Sequence, residues 1–275
     1  MIKKLINYGY ILLVLAFIYV PILILVFYSF NSAKSIGAWE SFSFVWYEKL
    51  GTIKDVVINT VLLAIISSTI ATVLGTLGAI GIFYSKGKLG KAVNGASQVP
   101  VVNSEVVTAC GLVMVFMLFG LSNRSVFGLY VGHVVLTTPF VVLSVMPKLK
   151  QIDPSLYEAA LDLGATPAQA LFKIIIPEIM SGIFSGFMLA ITLSLDDYII
   201  TATLSPLNYD TISTAVYKSI ALATEEGSKK IPIFRALTTI IFLLTVLVVV
   251  IMNIKQNKKE NLNKKELRNG KKNHI

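Results

Sequence analysis

The chain of 275 residues is 55% hydrophobic and only 14% charged, with a formal net charge of +9. With a mean hydropathy of +0.75 where soluble domains carry roughly a quarter charged residues, this composition excludes an ordinary soluble domain. It predicts an all-α, polytopic membrane protein. The single cysteine, Cys110, excludes an intrachain disulfide and reads as a small buried hydrophobe. Two histidines, His133 and His274, are too few for a metal site and read as structural or incidental.

Six apolar runs, approximately 9–30, 57–84, 100–120, 126–147, 177–201 and 233–254, meet the requirement of about 20 residues for one crossing. They predict one transmembrane domain over 1–254, followed by a basic, solvated tail over 255–275. The first run lacks a small-residue cleavage site behind a short core and reads as a retained span; Pro21 within it is tolerated in a membrane helix. Placing the N-terminus inside puts 16 of the 24 Lys and Arg residues on the inner side, including Lys86, Lys88, Lys91 and eight in the tail. Both termini are therefore expected in the cytoplasm. Positive charge so placed suits anionic lipid at the inner face, and no nucleic-acid partner is expected.

The outer segment 31–56 carries Trp39, Trp46 and Tyr47, which read as interfacial anchors. The second large outer segment, about 202–232, holds Pro206, Tyr209, Asp210, Tyr217, Glu225 and Glu226 and is long enough to be functional. Ala71, Gly75 and Ala79 recur at every fourth residue of the second run, as do Gly182, Gly186 and Ala190 in the fifth. Small residues at that spacing let backbones approach closely in lipid, so both helices are expected inside the bundle. At about 100° per residue, Ser181, Ser185, Thr192 and Asp196 share a further face of the fifth run, and Asp197 falls near the glycine stripe. Two adjacent acids at the end of a polar face suit the wall of a cation path, or else mark a solvated helix end. The same two readings stand for Glu105, beside Asn103 and Ser104.

Between the fourth and fifth runs lies a segment of another kind. Asp153 and Pro154 make a helix start, Gly164 a left-handed stop, and Thr166, Pro167 and Gln169 a capping box that starts a second helix at once. Each helix has about ten residues, roughly 15 Å, half a bilayer crossing. The element over 153–176 is therefore expected beside the membrane, on the cytoplasmic side. No window fits the phosphate-cradling G-x-x-x-x-G-K-[ST] loop. No nucleophile elbow or His-Glu metal helix occurs, so no catalytic residue is assigned. Charges in mid-span, which an ion-coupled carrier needs, are nearly absent.

The pattern Glu158-Ala159-Ala160, three residues, Gly164, nine residues, then Ile174, Ile176 and Pro177 resembles the EAA loop of bacterial ABC importer permeases, with isoleucine at 176 for the usual leucine. Trp46-Tyr47, Pro139 to Val142 and Thr192 to Asp197 extend the resemblance over nearly the whole chain, most closely to the second permease subunits of spermidine/putrescine importers. The resemblance implies a six-helix type I importer permease fold (MetI-like). It implies that Glu158, Ala159, Ala160, Gly164, Ile174 and Pro177 couple the chain to two separate ATPase subunits, which hold ATP and Mg. It also implies a homologous partner permease and an extracytoplasmic binding protein. Asp196 and Asp197, with Ser185, Thr192 and Glu105, are the candidates for the substrate path. Ser104 stands where related permeases often have proline, which weakens the transfer to Glu105. Other cargoes for such a permease are ferric ion, thiamine or a phosphonate; a stand-alone carrier or channel is the reading from another class.

Overall fold

The computed structural model describes residues 2–34, 37–85, 101–122, 124–221 and 230–247, with a few isolated positions besides. Lys86, Lys88, Lys91, Glu225, Glu226 and the tail from Lys255 lie outside the described residues. The chain divides into two compact units, Met1–Ile53 with Lys218–Ile275, and Lys54–Tyr217.

In the first unit, α1 (Ile2–Ser29) carries Lys3 and Lys4 in its first turn, is long and apolar enough to span from Gly9 to Ser29, and holds Pro21; Leu12, Phe17 and Phe27 along it are exposed. The chain then folds back on Asn31, which is 1% exposed. Its side-chain oxygen accepts the N–H groups of Ala33 at 3.2 Å and Glu40 at 3.0 Å, and its amide donates to the Ala38 carbonyl. Trp46, in the short helix α2 (Val45–Glu48), donates its indole N–H to the Asn31 carbonyl at 2.8 Å. Trp46 is 3% exposed. It is thus a packed structural residue and not the interfacial anchor expected; its N–H is satisfied inside the fold, which removes any need for the lipid headgroup zone. Tyr47 likewise stacks on Phe30 and bonds Ser29, whereas Trp39 lies partly open, stacked on Phe27.

The second unit is built on three helices: α3 (Lys54–Tyr84), α5 (Val126–Leu149) and α9 (Met180–Asp196). Val141 of α5, fully buried, sits between two glycines. A Cβ on Gly75 would stand 2.7 Å from its Cβ, and one on Gly186 3.2 Å from its Cγ1. A Cβ on Gly182 would meet Lys148 Cγ at 2.8 Å and the Ser144 carbonyl at 3.1 Å. The small-residue stripes of α3 and α9 therefore both face α5, and Ala71, Ala79 and Ala190 are fully buried. Ile80, Val145, Leu149, Ile175 and Ile179 complete the same cluster.

The helix α4 (Glu105–Leu118) has 14 residues, shorter than the apolar run 100–120. Local chemistry sets both ends: Ser104 caps the first turn through Val107 N–H, and Gly120 turns the chain at φ 66°. Cys110 on this helix is exposed and not buried as expected, because α4 packs by Ala109 and Phe116 and leaves the Cys110 face uncovered. The fifth run is not one straight span either. The helical stretch Pro167–Glu178 meets α9 at 68°, and α9 stops at Asp196, with α10 (Ile199–Leu204) and α11 (Ile212–Ala221) beyond it. Four helices among the described residues, the last of them α12 (Lys230–Leu247), are long and apolar enough to cross a membrane, or five with the bent pair.

Close packing at Val141 makes a direct prediction. Gly75→Val forces overpacking worth about 1–3 kcal/mol and should lower the melting temperature in detergent. Gly81→Ala, where a Cβ meets nothing within 4 Å, should leave it unchanged or slightly raised.

Candidate functional site: the coupling element and the broken helix

The element between α5 and α9 begins with α6 (Pro154–Asp162). Asp153 caps it, accepting Ser155 N–H at 3.0 Å and Ser155 Oγ–H at 2.8 Å. These bonds, the backbone one first, hold the Asp153 carboxyl below the usual aspartate range. At the other end Gly164 has φ 86°. Its N–H donates to Leu161 O at 2.9 Å and Ala165 N–H to Ala160 O at 3.0 Å. This pair of bonds is a Schellman motif, and the left-handed glycine is its requirement. A Cβ there would meet nothing within 4 Å, so the demand for glycine is purely one of backbone conformation.

Two residues on, Thr166 starts α7 (Pro167–Ala170) with a complete capping box: Thr166 Oγ1 accepts Gln169 N–H at 3.3 Å, and Gln169 Oε1 accepts Thr166 N–H at 3.0 Å. A π turn over Leu171–Ile175 and the short α8 (Ile176–Glu178) lead on to Ile179. Ala160, Ala170, Ile175 and Ile179 face inward and are buried. Glu158, Ala159, Gly164 and Pro177 are exposed and Ile174 is half-buried. Leu163 is 90% exposed, and Phe172 is exposed as well. The element thus packs one face on the three-helix core and presents a second face, part apolar, that none of the described residues covers. A cleft of about 480 Å³ lies beside it, lined by Phe83, Tyr84, Asp153, Tyr157, Glu158 and Leu161.

The path candidates separate. Ser185, Thr192 and Asp196 lie on the exposed face of α9, as does Ser181. Glu105 is exposed in the first turn of α4, where a carboxylate suits the helix N-terminus. Asp197 does not share that face: it is 4% exposed. Its Oδ1 accepts Ile200 N–H at 3.2 Å and its Oδ2 accepts Thr201 N–H at 2.8 Å. Asp197 therefore caps the first turn of α10 from inside the bundle. Sequence reasoning placed Asp197 near the glycine stripe but did not find its partner. That partner is His133, whose Nε2 stands 3.5 Å from Asp197 Oδ2. A single histidine in an apolar run carries no signal of what it touches 64 positions away.

The sequence profile of the binding-protein-dependent transport system inner membrane component family matches residues 71–259. The chain belongs to this family. It is 30% identical over 249 residues to the spermidine/putrescine transport system permease protein PotC of Haemophilus influenzae, covering 90% of this chain and 94% of that one. It is 33% identical over 241 residues to the putrescine transport system permease protein PotI of Escherichia coli K12, covering 84% and 83%. Among solved structures it is similar to a bacterial ABC transporter involved in import of the acidic polysaccharide alginate, with TM-score 0.66, 22% identity and coverage of 90% and 94%. It is also similar to the inward-facing MetNI methionine ABC transporter, with TM-score 0.57, 15% identity and coverage of 77% and 95%. The fold is thus the MetI-like permease fold, and the chain is an ABC importer permease subunit of the inner membrane, crossing it several times. The profile begins within α3 and takes in the coupling element and the broken helix.

The caps of the coupling element give measurable signals. Thr166→Ala should remove about 1 kcal/mol of local stability and reduce amide exchange protection over residues 168–170. The Asp153 cap is stabilising while its carboxylate is ionised. Because its folded pKa is depressed, that stability is present above the unfolded value of about 4 and is lost as pH falls through the folded value. Protection at Ser155 to Tyr157 should therefore fall on acidification below about pH 4, and Asp153→Asn should abolish that pH dependence.

Proposed function

We propose that this chain is one of two permease subunits of an ATP-driven polyamine importer in the bacterial cytoplasmic membrane. It pairs with a homologous permease and has both termini in the cytoplasm. Two ATPase subunits, which hold ATP and Mg, bind the α6–α8 element, and an extracytoplasmic binding protein delivers the cargo. This chain itself performs no catalysis. The observation that carries the reading is the coupling element, whose capped turns hold Glu158, Ala159 and Leu163 outward on a rigid, two-helix platform. A leucine 90% exposed on a water-facing turn calls for a protein surface to cover it.

When the ATPase pair closes, the push on α6 and α7 enters the core through buried Ile175 and Ile179. The same segment continues across the 68° bend into α9, so its displacement moves the helix that bears Ser185, Thr192 and Asp196. A packed element between two discrete arrangements transmits such a push without needing a long contact chain. Polyamine as cargo is supported by the relatives named above and by the exposed acid that ends the polar face of α9. A polycation gains from a carboxylate there, and the sparse charge of the rest of the path leaves that attraction uncompensated.

Two outcomes test this. Gly164→Val places a β-branched residue in a left-handed conformation that disfavours it by roughly 1–2 kcal/mol, without any clash. It should leave the protein in the membrane but abolish ATP-driven uptake; uptake at the normal rate would remove the coupling role. Asp196→Asn should lower spermidine and putrescine imported per ATP hydrolysed in the assembled transporter, and an unchanged ratio would remove Asp196 from the path.

A further inference from the structure

The break that ends α9 lies against a line of buried polar side chains drawn from four helices. Ser67 Oγ of α3 is 3.1 Å from Ser194 Oγ of α9, and Ser194 Oγ is 2.7 Å from His133 Nδ1 of α5. His133 Nε2 is 2.9 Å from Thr201 Oγ1 of α10, which is 2.9 Å from Asp197 Oδ2. None of the five is more than 4% exposed.

Counting hydrogens gives the line a direction. A carboxylate only accepts, so the one proton of the Thr201 hydroxyl goes to Asp197. Thr201 Oγ1 must then accept from His133, which puts a hydrogen on Nε2. A neutral imidazole with Nε2–H accepts at Nδ1, so Ser194 donates there. The Ser194 oxygen keeps lone pairs toward Ser67, whose hydroxyl lies within reach of both Ser194 and the Leu63 carbonyl. Every donor has an acceptor, and the line ends on the carboxylate that also takes the free amides of α10. At the same residue, Ser213 donates to the Asp197 carbonyl at 2.7 Å, so the backbone of the break is held on both sides.

We propose that His133 is a positioning residue for transport. It bridges the last turn of α9, through Ser194, to the first turn of α10, through Thr201, and so fixes the angle at which the helix breaks. Asp196 and Asp197 are adjacent, and a change in that angle rotates both. With His133 in place Asp197 points inward as a cap and Asp196 stays on the open face. The two acids therefore have different tasks, and the histidine decides which does which. This rests on the reading of Asp196 as a path carboxylate.

The test uses the complete transporter, with its partner permease, ATPase subunits and loaded binding protein, in proteoliposomes. The reading is spermidine imported per ATP hydrolysed. His133→Ala should lower that ratio about fivefold while ATPase stimulation by the loaded binding protein persists. His133→Gln, whose amide can reach the position of Nε2, should restore it better than His133→Asn, which reaches only the Ser194 side. In an Asp196→Asn background His133→Ala should cause no further loss, because it acts through Asp196. An equal fractional loss in both backgrounds, or parallel loss of import and ATPase stimulation, would make His133 a general packing residue and overturn the proposal. If Asp196→Asn alone changes nothing, the path reading fails first, a distinguishable result. Should His133→Ala not assemble, the same cycle run with His133→Asn decides between the same outcomes.

Discussion

A helix that starts inside the bundle presents backbone N–H groups that have no partner within the helix, and the second unit is arranged around meeting that demand at one place. After Asp196 the chain leaves the helix, and the amides of Ile200 and Thr201 are taken by the Asp197 carboxylate. An acid so buried must itself be surrounded by donors, and Thr201 and His133 supply that setting. Once the cap is held, α10 can lie against α4 and α5 through Ile200 and Leu204. The close approach at Gly132, where a Cβ would stand 2.6 Å from Leu204, follows from the same turn.

The other end of α9 is governed by packing. Gly182 and Gly186 bring its backbone against α5, and Gly75 brings α3 against the same valine. In lipid no hydrophobic force gathers helices, so this interlocking of small residues with Val141 is what makes α3, α5 and α9 behave as one body. The coupling element inserts Ile175 and Ile179 into that body. On the proposed coupling role, a push on the element would reach α9 as displacement instead of being absorbed in local deformation. The two features serve one another: close packing makes α9 stiff, and the capped break sets where its stiffness ends.

The turns of the coupling element were readable residue by residue. Asp153, Gly164, Thr166 and Gln169 act within three or four positions of themselves, and caps of that reach are encoded by the residues that form them. The small-residue stripes were legible as packing faces for a similar reason, since helical period alone aligns them. Their common target, Val141, was not. Trp46 was misplaced because an aromatic residue near a span serves equally as an anchor or as core, and only its bond to Asn31, 15 positions away, separates the two. Cys110 was misplaced because a short helix in an apolar run need not be covered on all sides. The extent of the third and fifth runs was overdrawn where Ser104, Gly120 and Asp197 interrupt helices that hydropathy reads as continuous.

By itself, the sequence determined that this chain lives in a membrane, that a bent helical pair lies between two of its spans, and which family the chain resembles. These depend on composition, period and local capping, quantities that neighbouring residues share. Only the tertiary structure decided that two adjacent aspartates differ, one exposed and one capping a helix, and that a buried histidine stands beside the capping one. Asp196 ends α9 and Asp197 has already left the helix in an extended conformation, and which of them meets solvent depends on what the rest of the chain places opposite.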